Sequence, residues 1–235
     1  MIPIKTESAW KGTADCKNCG IRDMVLFADL NEQDFGMIHA PIDDLEMPYG
    51  TELYGEGATA PGIFTLRKGR LKLVRYTPDG RQRILRLLRP GDVAGLEALA
   101  TGRYDSAAVA LTDVSVCRIP LAVIHHLSQN SPRLHLRLLQ KWQQTLKEAD
   151  DWLADINFGT ARQRVGQFIL KMRHEEDPAL ATLFSREDMG AMMDLKLETV
   201  SREISALARA GAIAPMDRTG RLYRVLNAAL LQSED

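Results

Sequence analysis

The sequence has no run of about 18 consecutive apolar residues, which excludes a membrane-spanning helix. Met1 to Trp10 holds no charged stretch followed by an apolar core, so no secretory signal is visible and the expected location is cytoplasmic, with no membrane partner. Neither sign of charge dominates. Thirty Lys and Arg face 31 Asp and Glu, a net charge of −1, which argues against a protein that coats nucleic acid by bulk electrostatics. Cysteine is scarce, at three residues. No nucleophile stands beside a base and no glycine loop suits a phosphate, so an enzyme is not expected. What is present is the balance of a soluble globular protein, 45% apolar and 26% charged, in 235 residues, enough for one large domain or two of ordinary size.

The chain divides by pattern. Between Gly50 and Gly102, glycines recur at Gly57, Gly69, Gly80 and Gly91, with short apolar runs between them. Turn signals at such spacing predict an all-β barrel or jelly roll. The runs are Gly62–Leu66, Leu71–Tyr76 and Arg83–Leu88, with Thr77-Pro78-Asp79-Gly80 as a turn, and Val109 to Ile119 reads as one further alternating strand. After Pro132 the period becomes helical. Leu139, Trp142, Leu146, Ala149, Leu153 and Ile156 recur at steps of three and four, the seam of a coiled coil. A helix packed on its own β domain shares that period. Its length, and the charged Lys147, Glu148, Asp150 and Asp151 beside the seam, favour a partner copy, with Trp142 and Trp152 in the shared core. Asn157-Phe158-Gly159-Thr160 breaks the helix, and Thr160 caps the next, Ala161 to His174.

The C-terminal segment is the most specific. Ser185 precedes a short helix, Glu187 to Met193, as N-cap, with Met189, Met192 and Met193 as packing residues. Asp194-Leu195-Lys196 is a tight connection to a second helix that ends near Gly211, and Lys196 is a weak cap for it. On that helix Glu198, Ser201 and Arg202 share one face, while Leu197, Val200, Ile204 and Leu207 form the opposite stripe. An arginine and a carboxylate together suit guanine and cytosine edges in the major groove of double-stranded DNA. Ile213–Met216 and Leu222–Leu226 flank the turn Asp217–Arg221 as a hairpin, so the whole is a winged helix-turn-helix. From Lys196 to Arg224 six basic residues (Lys196, Arg202, Arg209, Arg218, Arg221, Arg224) outnumber three acidic ones (Glu198, Glu203, Asp217), an excess suited to phosphate contact. The expected class is α+β, with a cysteine-bearing segment at 1–26, a β-roll at 27–130, a dimerisation helix at 131–157 and the winged helix-turn-helix at 158–235.

A glycine-punctuated β-roll like that of cyclic-nucleotide-binding domains, a long helix and a winged helix-turn-helix bearing Glu198-Thr199-Val200-Ser201-Arg202 together resemble the Crp/Fnr superfamily of bacterial transcription regulators, from about Cys16 to Leu226. The resemblance implies a homodimer on a palindromic site of TTGAT type, in which Arg202 reads guanine, Glu198 a cytosine edge and Ser201 a thymine. Thr199 and Arg186 would contact phosphate, and the exposed loop Tyr76–Arg81 would touch RNA polymerase or be a simple hairpin turn.

The resemblance also frames the signal. In the cyclic-nucleotide branch a glycine–glutamate pair and an Arg–Ser pair hold the ribose and the cyclic phosphate. Here Leu96 follows Gly95 and Asp105 precedes Ser106, and a carboxylate repels the phosphate that a guanidinium would clamp, so cyclic AMP is not the expected effector. Cys16, Cys19 and Cys117 match the places where Fnr-type oxygen sensors hold a [4Fe–4S] cluster, which takes four ligands. Val25 stands where a further cysteine would be, leaving Asp15, Asp23 or an external molecule as the fourth ligand. Alternatives stay open: Cys117 as a small buried residue, Cys16 and Cys19 as a redox dithiol, half of a zinc site or a relic that binds nothing, or a small non-nucleotide effector in the β-roll with no metal. His125 and His126 read as a solvated or capping pair rather than haem or metal ligands.

Overall fold

The computed structural model describes residues 25–233, except residues 39 and 157. Cys16, Cys19, Asp15 and Asp23 therefore lie outside the described residues. The described residues form two compact units, one of residues 25–75 and 85–146, the other of residues 76–84 and 147–233.

The first unit is a β-roll, apart from the hairpin tip at residues 76–84, which belongs to the second. Its strands are β1 (Asp43–Met47), β2 (Glu52–Tyr54), β3 (Gly62–Lys68), β4 (Leu71–Tyr76), β5 (Gln82–Leu88), β6 (Val93–Ala94), β7 (Ala107–Ala110) and β8 (Val114–Pro120), with two short helices, α1 (Glu32–Gly36) and α2 (Ala98–Thr101). They make two four-stranded sheets, ordered β1-β8-β3-β6 and β2-β7-β4-β5. Opposed inward faces of such sheets bury alternate residues, here including Ile63, Leu66, Leu71, Leu88 and Val116. Val109 to Ile119 is not one strand. It is β7 and β8, in different sheets, separated at Leu111-Thr112-Asp113. That corner carries no glycine or proline; side chains build it instead, the Thr112 hydroxyl accepting from the Arg70 N–H at 2.9 Å and the Asp113 carboxylate from the Tyr49 N–H at 3.0 Å. Gly69 completes the corner, because a Cβ there would lie 2.3 Å from the Asp113 carbonyl oxygen.

Helix α3 (Leu121–Asn130) leads into α4 (Pro132–Ile156). Pro132 suits the first helical position, and the Ser131 hydroxyl caps it by accepting from the Leu134 N–H at 3.3 Å. Leu134 and Leu138 on α4 join the β-roll core. His125 and His126 lie within α3 and are exposed.

In the second unit, α5 (Ala161–Lys171) begins with a full capping box between Thr160 and Gln163. Then follow β9 (Leu180–Thr182), α6 (Arg186–Met193), α7 (Leu197–Arg209), β10 (Ile213–Pro215) and β11 (Leu222–Val225). The three strands form one antiparallel sheet in the order β10-β11-β9. Strand β9 leaves no signal in the sequence, because three residues are too few to display a period. The C-terminal half of α4 packs within this unit. Ile156 is fully buried and the Trp152 ring meets Phe168 of α5 edge-on at 6.2 Å. These two residues, expected to face a partner, do not: Trp152 meets α5 and Ile156 is buried within its own chain. Helical spacing alone does not distinguish an intrachain contact from an interchain one.

Candidate nucleic-acid interface and cysteine site

The second helix of the helix-turn-helix is anchored from below. Val200, Ile204 and Leu207 of α7 are buried, as are Met189, Met192 and Met193 of α6. Ser185 caps α6 by accepting from the Asp188 N–H at 3.0 Å and donates its own hydroxyl to the Asp188 carboxylate at 2.7 Å. Gly190 permits the tight turn, since a Cβ there would lie 2.5 Å from the Leu195 carbonyl oxygen. Asp194 closes α6 in the left-handed conformation, φ 54°, and its carboxylate pairs with Arg83 at 2.9 Å. Lys196 occupies the N-cap of α7 and makes no side-chain capping bond, leaving the first N–H groups of that helix available to an anion.

The opposite face of α7 is open. Glu198 and Arg202 are exposed, Ser201 and Thr199 half-buried. The Arg202 side chain is 68% exposed and donates through Nε to Glu203 at 3.2 Å, which leaves the outer edge of its guanidinium free. Leu197, expected in the buried stripe, is 46% exposed. It is the first residue of α7, and the buried stripe starts a turn later at Val200. Its position beside Glu198 puts an apolar group at the N-terminal end of the open face of α7.

Arg186 is only half-buried and already engaged. Its guanidinium donates to the Tyr223 hydroxyl at 2.8 Å and the Gly220 carbonyl at 3.3 Å, and lies 5.8 Å from the Tyr223 ring centre. It ties α6 to the wing, a link that the sequence does not advertise because Tyr223 is far away along the chain. The wing turn itself is organised by Asp217, whose carboxylate accepts from the Arg221 and Leu222 N–H groups at 3.0 and 3.2 Å. The Thr219 hydroxyl, then these backbone donors, holds that carboxyl below its ordinary pKa. Arg218, Arg221 and Arg224 remain exposed along the wing.

Away from this surface, Cys117 sits half-buried on β8, in register with Asp44 of β1 and Thr65 of β3. Its thiol donates to the Asp44 carboxylate at 3.1 Å, and the other Asp44 oxygen pairs with Arg67. The sequence does not mark Asp44, because only strand pairing brings it to Cys117. Among the described residues no three His, Cys, Asp or Glu side chains cluster as metal ligands, and Val25 offers no donor atom. Along α4, Leu136, Leu139, Trp142, Leu146 and Leu153 are exposed. Ala149 is half-buried. Lys147 and Asp151 pair with each other at 2.7 Å.

Two family matches fall on these units: the cyclic nucleotide-binding domain on residues 45–131 and the Crp-like helix-turn-helix domain on residues 163–234. The chain belongs to the Crp/Fnr superfamily. It is 27% identical to the transcriptional activator protein FnrA of Stutzerimonas stutzeri over 91% of this chain and 89% of that one. It is 25% identical to the fumarate nitrate reduction regulatory protein of Klebsiella oxytoca over 92% of this chain and 88% of that one. Among solved structures, FixK2 from Bradyrhizobium japonicum superposes with a TM-score of 0.73 at 27% identity, over 83% of this chain and 97% of that one. The chain is thus a Crp/Fnr-type DNA-binding transcription regulator, of a family that is not made of enzymes. Among the described residues, no helix of this Crp/Fnr regulator is long and apolar enough to cross a membrane.

Proposed function

We propose that this Crp/Fnr protein is a cytoplasmic homodimer that reads a palindromic site of TTGAT type and answers a redox or oxygen signal through Cys16, Cys19 and Cys117. The observation that carries the DNA half is the open face of α7. Glu198, Ser201 and Arg202 project from a helix whose other side is locked into its own unit by Val200, Ile204 and Leu207. Arg202 reads guanine, Glu198 a cytosine edge, and Ser201 with Leu197 the thymines. Thr199 contacts phosphate, Arg186 holds the wing and adds a phosphate contact at its exposed edge, and the basic wing lies along the backbone. Two copies pair along the exposed leucines of α4, and the hairpin Tyr76–Arg81 meets RNA polymerase.

The signal half rests on the donor set. Cys117 contributes a half-exposed thiol with a carboxylate oxygen beside it, which is chemistry compatible with a [4Fe–4S] cluster held by three thiolates and one oxygen. Asp44 joins Asp15 and Asp23 as a candidate for that fourth place. When bound, such a cluster supplies a redox-active centre tuned by hydrogen bonds and exposure. The relatives named FnrA and fumarate nitrate reduction regulatory protein support the same reading.

Protein purified without oxygen is expected to be coloured and to contain iron and acid-labile sulfide, and to lose the colour when Cys117 is replaced by serine. A colourless, iron-free anaerobic preparation that still binds the palindromic site tightly would overturn the cluster.

A further inference from the structure

The β-roll carries a feature that its cyclic-nucleotide-binding relatives' name does not suggest. Tyr104 lies between the Gly95–Leu96 segment and the Asp105–Ser106 segment, the two places where a ribose and a cyclic phosphate would be held. Its ring is 2% exposed and stacks on Tyr54, centroids 3.7 Å apart and planes 14° apart. Tyr54 in turn stacks on Phe64 at 5.7 Å. The Tyr104 hydroxyl donates to the Gly62 carbonyl at 2.6 Å. Gly95 receives the ring directly, since a Cβ there would lie 2.7 Å from Tyr104 Cε1.

The flanking residues agree. Leu96 is 4% exposed and packs in the core, and Ser106 is also buried. The Asp105 carboxylate is exposed, while the Asp105 carbonyl accepts from Arg75 at 2.7 Å. Arg103, the residue before Tyr104, donates to the Gly57 carbonyl at 2.7 Å. Backbone bonds from Tyr104 N–H to Ala58 and from Gly57 N–H to Tyr104 pin the segment at 3.1 and 2.8 Å. A ligand site of ordinary size is a cleft of about 300–1,000 Å³. The stacked, hydrogen-bonded Tyr104 ring occupies space between the two segments that such a cleft would need.

We propose that Tyr104 is a built-in plug of the β-roll, filling the place of a cyclic nucleotide so that the roll takes up no nucleotide and accepts a ligand only when this ring is removed. The proposal rests on the Crp/Fnr assignment and deepens the proposed function, because it removes a nucleotide held in the β-roll as the signal and leaves the cysteines to receive it. Burial supports it, pushing the Tyr104 hydroxyl up to about 12 and Tyr54 higher still. The Tyr54 hydroxyl is buried and has no hydrogen-bond partner among the described residues. Once Tyr104 is truncated, that hydroxyl is a polar group beside an aromatic-shaped void, which suits a small phenol.

Calorimetric titration and thermal unfolding of the full-length protein test this with cyclic AMP, cyclic GMP and p-cresol, the phenol that matches a tyrosine side chain. The parent is expected to bind neither nucleotide more tightly than about 1 mM and to gain no stability from p-cresol. Tyr104→Ala is expected to unfold at lower temperature and to be restored by p-cresol, the gain rising with the logarithm of its concentration. Stoichiometric binding of either nucleotide by the parent below about 1 mM overturns the plug, whatever the variant does. So does a folded Tyr104→Ala protein that gains no more from p-cresol than the parent. If that variant does not fold, Tyr104→Leu, which vacates part of the ring space, takes its place with the same expected contrast. Iron content and colour are read separately, so a failure here is distinct from a failure of the cysteine-based reading.

Discussion

Replacing Leu146 with aspartate is expected to convert the protein from dimer to monomer and to weaken binding to a palindromic site by about 10²–10⁴-fold. Leu146 is 63% exposed on a helix whose other side already packs against its own chain, so its side chain contributes little to folding of the single chain. A substitution at such a site changes stability by no more than about 0.5 kcal/mol. In a dimer the same position lies on the shared seam with Leu139, Trp142 and Leu153, and a carboxylate buried there without a partner is strongly unfavourable. The avidity loss follows because a monomer reaches one half-site only. Analytical ultracentrifugation with unfolding curves separates the two effects. A Leu146→Asp protein that stays dimeric places the interface elsewhere; one that unfolds shows that Leu146 is needed within the chain.

Removing the Arg202 side chain is expected to cost about 1–3 kcal/mol of binding to the specific site and to relax the preference at one guanine. Arg202→Ala should leave stability unchanged, because the side chain is exposed and its contact is an exposed ion pair with the adjacent Glu203. The salt dependence separates base reading from charge. Loss of a base contact lowers specific affinity with little change in the slope of log K against log salt, whereas loss of a phosphate contact reduces that slope by about one and acts on all sequences alike. A uniform loss with a reduced slope would make Arg202 a phosphate contact. An unchanged affinity for both specific and random DNA would remove it from the interface.

Much of the fold is legible in the amino-acid sequence because its signals are local. Gly57, Gly69, Gly80 and Gly91 all take positive φ at turns of the roll, Ser185 and Thr160 make the expected caps, and Lys196 leaves the expected gap. The polar face of α7 is legible for the same reason, since residues three and four apart meet on one helix. The departures from expectation come from contacts that a sequence period does not encode. The Leu111–Asp113 corner is made by side chains of ordinary residues, Ile156 shares the period of the exposed leucines but is buried in its own chain, Trp152 next to that stripe meets Phe168 of α5, and Leu197 precedes the first buried turn. Long-range neighbours leave no trace in the sequence: Asp44 at Cys117, Tyr223 at Arg186, and Tyr54 at Tyr104 all depend on which strands and helices come together. The absence of a phosphate clamp at Leu96 and Asp105 can be read from residue chemistry. That an aromatic ring fills the place cannot.

The central claim is that this chain reads a two-fold-symmetric sequence through paired copies of α7. Fluorescence anisotropy of the anaerobic protein on two duplexes of equal length and composition tests it most directly. One carries TTGAT and its inverted repeat with half-site centres about 10 base pairs apart, and the other carries the same bases scrambled. At physiological salt the palindrome is expected to bind at least about 10³-fold more tightly, with two chains per duplex. Equal affinity for the two duplexes, or one chain per palindrome at saturation, would contradict it.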